Sequence, residues 1–372
     1  MKFVHVGDLH LGKVIHQYSL LEIQRQLLFE LLDFMNEQDI RILVVAGDVY
    51  DRLIPSQEAV NVLDEFLSTA IQKYHIEVLM ISGNHDSNDR LHFVSSLLQE
   101  QGLYIETYLK EDMFYVEKND VRFYLLPFFK PSQVKMLFHE DVHDYQEAME
   151  VYLKHQCLDH HKKNILITHQ FIGRYSQTSE SEVPLSVGGS EIIDASLFND
   201  FDYVALGHLH APQKVSRETM RYSGSLMRYS FDEVKQNKSI VIVETDDMSL
   251  SFYSLHPQLT LEKYKASYQE FMDPTFITSK EDILSFELTD DHLIPHAIEQ
   301  LRVLYPHLLQ ITYTFLTSQV TQISSVQLIE QMNTSDLFEK FYQEVKNMSL
   351  SSKQKDIVCE LLEQAGEIDE NH

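Results

Sequence analysis

Four short apolar runs in this sequence break at a glycine into aspartate, asparagine or histidine. FVHVGDLHLGK passes through Gly7 to Asp8 and His10, and ILVVAGDVYDR passes through Gly47 to Asp48. VLMISGNHDS passes through Gly83 to Asn84 and His85, and YVALGHLHAP through Gly207 to His208 and His210. A fifth run, NILITHQF, ends in His169 without the glycine. One such segment is an ordinary turn, because Gly, Asn and Asp are turn residues. Five of them offer two carboxylates, an amide oxygen and several imidazoles, with no cysteine. That donor set suits manganese, iron or zinc better than a soft-metal cluster. It also exceeds what one four-coordinate ion needs. Two ions about 3.5–4 Å apart, sharing a carboxylate, would use it well. Such a pair orients a phosphodiester, makes hydroxide from bound water and stabilises an in-line displacement.

The elements that must position these residues follow from the apolar pattern. Each run is short, rich in Val, Ile and Leu, and bounded by breakers, as strands buried on both faces are. Gly83 suits a sharp exit, since glycine takes a positive φ at no steric cost. Helix-type spacing lies between the runs. Residues 19–38 place Leu20, Ile23, Leu27, Leu31 and Phe34 on one face. Residues 56–74 start from an N-cap at Ser56 behind Pro55, and residues 87–101 from Ser87. Alternating strands and helices predict an α/β sheet with parallel strands at its start. Ligands in such sheets bind beyond the carboxyl ends of the strands. Asp8, His10, Asp48, Asn84, His85, His169, His208 and His210 should therefore converge on one rim. Segments 118–129 and 220–231 read as strands extending the sheet, and 237–256 as a hairpin turning at Asp246 and Asp247. These elements make a first domain over residues 1–256. A second, 257–333, mixes short strands with a helix at 293–304. A third segment, 334–372, reads as two helices, with Leu337, Phe338, Phe341 and Val345 on one apolar face and Ile357, Val358, Leu361 and Leu362 on another.

Composition bounds the rest. The chain has 372 residues, 44% hydrophobic and 23% charged, an ordinary globular balance. No apolar run approaches a bilayer span and the first residues lack a leader-like h-region, which predicts a cytoplasmic chain without membrane contact. Cys157 and Cys359 fit neither a disulfide framework nor a zinc motif, and are expected as buried free thiols. There is no G-x-S-x-G elbow and no Walker lysine loop, so any ATP dependence belongs to another subunit. The net charge of −27 alone argues against a nucleic-acid binder, whose affinity comes largely from neutralising phosphates. A partner subunit could supply a basic surface.

The series D-x-H, G-D-x-x-D-R, G-N-H-D, a lone His after a strand, and G-H-x-H resembles the calcineurin-like metallophosphoesterases. Within them it is similar to nuclease subunits that work with a coiled-coil ATPase, and YSGSLMRYSFDE (222–233) resembles the same group. The resemblance implies a sandwich of β-sheets flanked by helices, a small α/β cap and C-terminal helices. It implies a metal-dependent exonuclease and endonuclease on DNA ends and hairpins, serving DNA repair, recombination and replication. Carried over by position, Asp8, His10, Asp48 and His210 would hold one ion. Asp48, Asn84, His169 and His208 would hold the other, with Asp48 bridging and Mn2+ as the metal. His85 would give a proton to the leaving oxygen or stabilise the transition state. The resemblance further implies a homodimer through the nuclease domain, and docking of residues 334–372 on the ATPase. One position departs: relatives tend to carry His three residues after the bridging Asp, where this chain has Asp51. No DNA-end role of that His is carried over.

Several readings compete with these. Lys13, Arg25 and Arg52 are candidates for phosphate contacts, since Lys and Arg are the usual positioning residues; pairing with nearby acids is the alternative. His5 reads as a core residue, Asp86 as a holder of its turn, and LDHHKK (158–163) as a solvated helix end because it precedes a strand. A small-molecule phosphodiesterase or phosphatase of the same fold is the second functional reading, favoured by the acidic balance. A non-catalytic scaffold is the third.

Overall fold

The structure is a computed structural model. It describes residues 1–173, 178–179, 181–182, 191–277, 279–316 and 354–355. Strand alternation sets its architecture. Along β1 (Lys2–Val6), Val4 and Val6 pack with the helices, whereas Phe3 packs with a different set of strands. Along β4 (Ile42–Ala46), Leu43 and Val45 join the helices while Ile42, Val44 and Ala46 turn the other way. A strand with two apolar faces must be covered twice. Here one cover is a layer of helices and the other is a second sheet.

The first sheet has the order β14-β13-β1-β4-β5-β6. It comprises β1, β4, β5 (Glu77–Ile81) and β6 (Leu103–Glu106) in parallel, with β13 (Ile240–Glu244) and β14 (Leu250–Tyr253) added antiparallel. The second has the order β11-β12-β10-β9-β8-β7. Its parallel strands are β8 (Val121–Leu126), β9 (Lys163–His169), β10 (Tyr203–Gly207) and β12 (Arg217–Tyr222). Antiparallel edges are β7 (Tyr115–Lys118) and β11 (Gln213–Val215). Between the sheets Phe3, Val44, Leu79, Phe123, Ile165, Ile167 and Tyr203 form one apolar layer. Helices α1 (Leu21–Glu37) and α2 (Gln57–Ser68) cover the first sheet, and α5 (Pro131–Phe138) and α6 (Tyr145–Lys154) cover the second. A two-residue hairpin, β2 (Val14–Ile15) and β3 (Tyr18–Ser19), precedes α1.

The ligand-bearing strand ends therefore do not share one sheet. β1, β4 and β5 lie in the first, β9 and β10 in the second. Segment 118–129 likewise belongs to the second sheet. Of 220–231, only the part up to Tyr222 is strand. The α2 helix starts at Ser56, whose side chain accepts from Ala59 N, and ends in a π-helical turn, Thr69–Lys73. The helix expected at 87–101 is broken into α3 (Asn88–His92), α4 (Ser95–Leu98) and a 3-10 turn (Gln99–Gln101), and Ser87 makes no capping bond. The break is Val94, at φ 56, a conformation costly for a β-branched residue. The hairpin holds, with Ile240 opposite Tyr253. Cys157 is exposed rather than buried, and Cys359 lies outside the described residues.

By compactness the chain divides into two units. The first holds Met1–Phe286 and His296–Ile311 and contains both six-stranded sheets. The second holds Glu287–Pro295 and Thr312–His372; within it Ile294 N donates to Tyr313 Oη at 3.0 Å. Beyond residue 256 the chain forms a three-stranded sheet of β15 (Leu261–Ala266), β16 (Ile283–Leu288) and β17 (Leu308–Tyr313), with α7 (Tyr268–Phe271) and α8 (Ala297–Arg302). The helix expected at 293–304 is thus shorter. The two helices expected at 334–372 lie outside the described residues, apart from Gln354 and Lys355, which are helical. Among the described residues no helix is long and apolar enough to cross a membrane.

Candidate metal centre

Backbone hydrogen bonds continue past the strand ends and lace the loops together. Asp8 N donates to Gly47 O at 3.1 Å, His10 N to Asp48 O at 2.9 Å and Leu11 N to Val49 O at 2.9 Å. The D-x-H loop therefore lies along the G-D loop. Asp86 ties in the third loop: its carboxylate accepts Val49 N at 3.0 Å, Tyr50 N at 2.9 Å and Gly83 N at 2.8 Å. Asp86 holds the turn, as its sequence context suggests. The second sheet is joined from across. His208 N donates to Asp8 Oδ1 at 2.9 Å, and His169 Nδ1 donates to Ala46 O at 2.8 Å.

Gly83 is needed for a reason other than its φ, which is not in the left-handed region. A Cβ there would lie 2.1 Å from Asp48 Oδ1 and 2.4 Å from Asp48 N. At Gly207 a Cβ would lie 1.8 Å from Ala46 O, so this glycine lets β10 approach the first sheet. The left-handed backbone falls instead on candidate ligands: Asp8 at φ 52, His10 at 43, Asp48 at 50 and His208 at 110. Such conformations persist only where surrounding bonds hold them. Gly83→Ala is expected to displace Asp48 and weaken metal binding about 10–100-fold, the range seen when a ligand's support is lost. Equilibrium dialysis with Mn2+ measures this.

Among the described residues, Asp8, His10 and His210 bring potential ligand atoms within 4.8 Å of one another, and so do Asp8, Asp48 and His169. Asp8 stands in both groups. Asp48 Oδ2 is 3.5 Å from His10 Nε2 and 3.4 Å from His169 Nε2, so it too stands between them. Asn84 Oδ1 lies 2.9 Å from His169 Nε2 and 3.3 Å from His208 Nδ1. All seven expected ligands thus meet. A third group, His10, Asp51 and His85, adjoins the first.

The donor set fits divalent ions. His10 Nε2 and His210 Nε2 face each other at 3.0 Å. Asp8 Oδ2 and His10 Nδ1 are buried without a hydrogen-bond partner. Burial pushes the Asp8 carboxyl well above its usual range. Burial also pushes His208 down to about 3 and His210 to about 4. These are neutral imidazoles and a poorly solvated carboxylate collected around one space, an arrangement a bound cation would stabilise. His169 differs. Burial lowers it, but the Asp48 carboxylate more than offsets this and holds it up at about 9. The Asp48 carboxylate, 3.4 Å from His169 Nε2, thus favours the protonated ring. A metal must displace that proton, so Mn2+ binding at pH 7 is expected to release a proton from His169 and to tighten as pH rises. Calorimetry in buffers of different ionisation enthalpy reads the release directly.

His85 is oriented separately. Its Nδ1 lies 2.9 Å from the Asp51 carbonyl oxygen, which fixes the Nδ1–H tautomer, and its N donates to Asp48 Oδ1 at 2.9 Å. Its ring meets His10 edge-on at 4.9 Å. Of the proposed phosphate contacts, Lys13 Nζ is 2.9 Å from Asp51 Oδ1, and Arg52, largely exposed, is 3.7 Å from Asp51 Oδ2. Both therefore border the His10 and His85 group. Arg25 is paired with Glu65, at 2.6 and 2.9 Å, rather than placed in the cluster. His5 is buried between the sheets with Nδ1 3.0 Å from Tyr203 Oη. His160 and His161 sit in an exposed turn after α6.

Sequence reasoning missed the support around the cluster. Gln24 on α1 donates to Leu9 O at 2.9 Å and His10 O at 2.8 Å, and accepts Gly12 N at 3.1 Å. Glu233 and Lys238, both buried, back His210. Glu233 ends the 222–233 stretch, but nothing local marks it as a partner of a residue 23 positions earlier.

Residues 1–212 match the calcineurin-like phosphoesterase family, and residues 257–346 match the type 5 capsule protein repressor C-terminal domain. The chain belongs to the calcineurin-like phosphoesterase family. More narrowly, it is 33% identical over 369 residues to the SbcD subunit of the nuclease SbcCD from Staphylococcus epidermidis, covering 97% of this chain and 98% of that one. It is 31% identical over 361 residues to the protein of the same name from Staphylococcus saprophyticus, covering 95% of this chain and 96% of that one. A solved dimetal phosphatase from Danio rerio is similar at a TM-score of 0.34 and 12% identity, over 60% of this chain and 86% of that one, too slight a likeness to carry an argument.

Proposed function

We propose that this chain is a metal-dependent DNA nuclease, the SbcD-type subunit of a complex with an SbcC-type ATPase. It hydrolyses phosphodiester bonds at DNA ends and hairpins in repair, recombination and replication. The observation that carries this reading is end-to-end similarity to two SbcD subunits of the nuclease SbcCD, together with a buried Asp, Asn and His cluster. Asp8, His10, Asp48 and His210 hold one divalent ion. Asp48, Asn84, His169 and His208 hold the other, with Mn2+ as the metal and Asp48 shared. When bound, the pair supplies a hydroxide nucleophile and charge stabilisation for an in-line displacement. The chain's own residues do the rest. His85, held through Nδ1–H by the Asp51 carbonyl, presents Nε2 to the leaving oxygen and, as the imidazolium, gives it the Nε2 proton. Lys13 and Arg52, at the rim, position phosphates.

Residues 257–333 act as a cap that sets substrate access, and 334–372 dock on the ATPase. The chain acts in the cytoplasm as a homodimer through its nuclease domain. With a net charge of −27, much of the basic DNA surface must come from the partner. Removing residues 334–372 should abolish capture of the SbcC-type ATPase while leaving the metal centre loaded.

The test of the function is Mn2+-dependent cleavage of a labelled DNA hairpin by the purified chain, with and without the ATPase and ATP, beside a small phosphodiester. Hairpin cleavage supports the nuclease. Turnover of the small ester alone, even with ATPase and ATP present, assigns the site to a small-molecule phosphodiesterase or phosphatase instead.

A further inference from the structure

Behind the two histidines that face each other in the first cluster stand two more carboxylates, each held by a lysine. Glu233 is fully buried. Its Oε1 lies 3.1 Å from His210 Nδ1, and its Oε2 lies 2.7 Å from Lys238 Nζ and accepts Tyr229 N at 3.1 Å. Lys238 also donates to His210 O at 2.7 Å and Ser225 Oγ at 2.8 Å. Ser181 Oγ, 2.6 Å from the same His210 Nδ1, bonds Glu233 as well. Asp51 mirrors this on the other side. Its Oδ1 faces His10 Nδ1 at 3.5 Å and takes Lys13 Nζ at 2.9 Å. The Asp51 contact is looser than a hydrogen bond, yet His10 Nδ1 is buried and has no other partner among the described residues. A series runs Lys13, Asp51, His10, His210, Glu233, Lys238, with two Nε2 atoms 3.0 Å apart at its centre.

The second cluster is backed differently. His169 Nδ1 donates to a neutral carbonyl, Ala46 O, at 2.8 Å. Either acceptor fixes the tautomer and makes the ligating nitrogen more basic, the carboxylate more strongly because it carries a full charge. The lysines have a role of their own. They pair with Asp51 and Glu233 and hold each carboxylate in place beside its imidazole. Lys13 on Asp51 Oδ1 also argues against a third ion among His10, Asp51 and His85.

We propose that Asp51 and Glu233 are positioning residues for the ion held by His10 and His210, and that they make this the tighter of the two metal sites. Glu233 accepts the Nδ1–H of His210, Asp51 faces that of His10, and each turns the Nε2 lone pair toward that ion. The inference rests on the two-metal reading above and deepens it.

The experiment is a Mn2+ titration of the full-length, chelator-stripped protein, followed by calorimetry and by the electron paramagnetic resonance of free Mn2+. The wild type should show one tight and one weaker site. Glu233→Gln and Asp51→Asn should each weaken the tight site about 10–100-fold and leave the other unchanged. In the Mg2+-loaded protein, 15N histidine spectra should show pure Nδ1–H tautomers for His10 and His210, and a mixture at the affected ring in each variant. Glu233→Gln leaves Lys238 buried without its anion; should it fail to fold, Asp51→Asn, at a partly exposed side chain, carries the test. Folded variants with unchanged affinities and tautomers overturn the proposal alone, as does equal weakening of both sites. A wild type that binds no Mn2+ overturns the two-metal reading, and this inference with it.

Discussion

Asp48→Ala should bind at most one Mn2+ per chain and lose phosphodiester hydrolysis by about 10⁴-fold or more, the scale of losing a group on which the whole site depends. Asp48 Oδ2 stands 3.5 Å from His10 Nε2 and 3.4 Å from His169 Nε2, between the two clusters. Its Oδ1 also holds the His85 amide at 2.9 Å, so one substitution would remove the proposed shared ligand and loosen the proposed proton donor. The fold should survive, because the apolar layers on both faces of β4 are untouched. A second signature separates this from simple damage. The His169 ring, held up at about 9 against burial by the Asp48 carboxylate, should titrate well below that in the ion-free variant. Proton NMR of the imidazole reads it. Persistence of a high value would mean that Asp48 is not the partner of His169.

His85→Gln should behave differently. Its metal content and DNA affinity should match the wild type, while turnover falls about 10²–10⁴-fold, the usual contribution of a general acid. Its Nδ1 is occupied by the Asp51 carbonyl at 2.9 Å, which leaves Nε2 as the atom that can hand over a proton. Near wild-type turnover would show that the leaving oxygen takes its proton from elsewhere, and loss of metal would make His85 a ligand.

The candidate cluster is legible in the sequence because its residues lie at strand ends, and strand ends are marked by local signals. The run of apolar residues, the breaker and the polar side chains occur within a single short segment. Which sheet a strand joins is not a local property. β9 and β10 read like β1 and β4, yet they pair with each other and with β8, and they reach the site from across the sandwich through His208 N on Asp8 and His169 on Ala46 O. At Gly83 the local pattern points to conformational freedom, whereas the close approach of Asp48, distant in sequence, is what requires a glycine. Val94 hides in a helix-like pattern because nothing in its type signals a left-handed turn. Glu233 and Lys238 escaped for a like reason: a buried ion pair behind a ligand has no spacing of its own.

Two ions sharing Asp48 would be exchange-coupled, and a count of coupled manganese therefore tests the site at its centre. Ion-free protein is titrated with Mn2+ while its resonance spectrum and its hydrolysis of a DNA hairpin are recorded together. A two-metal nuclease predicts that the six-line spectrum of isolated Mn2+ gives way to a coupled dimanganese signal at two ions per chain, and that hydrolysis rises with that signal. Full activity at one ion per chain, with the six-line spectrum intact, would contradict it.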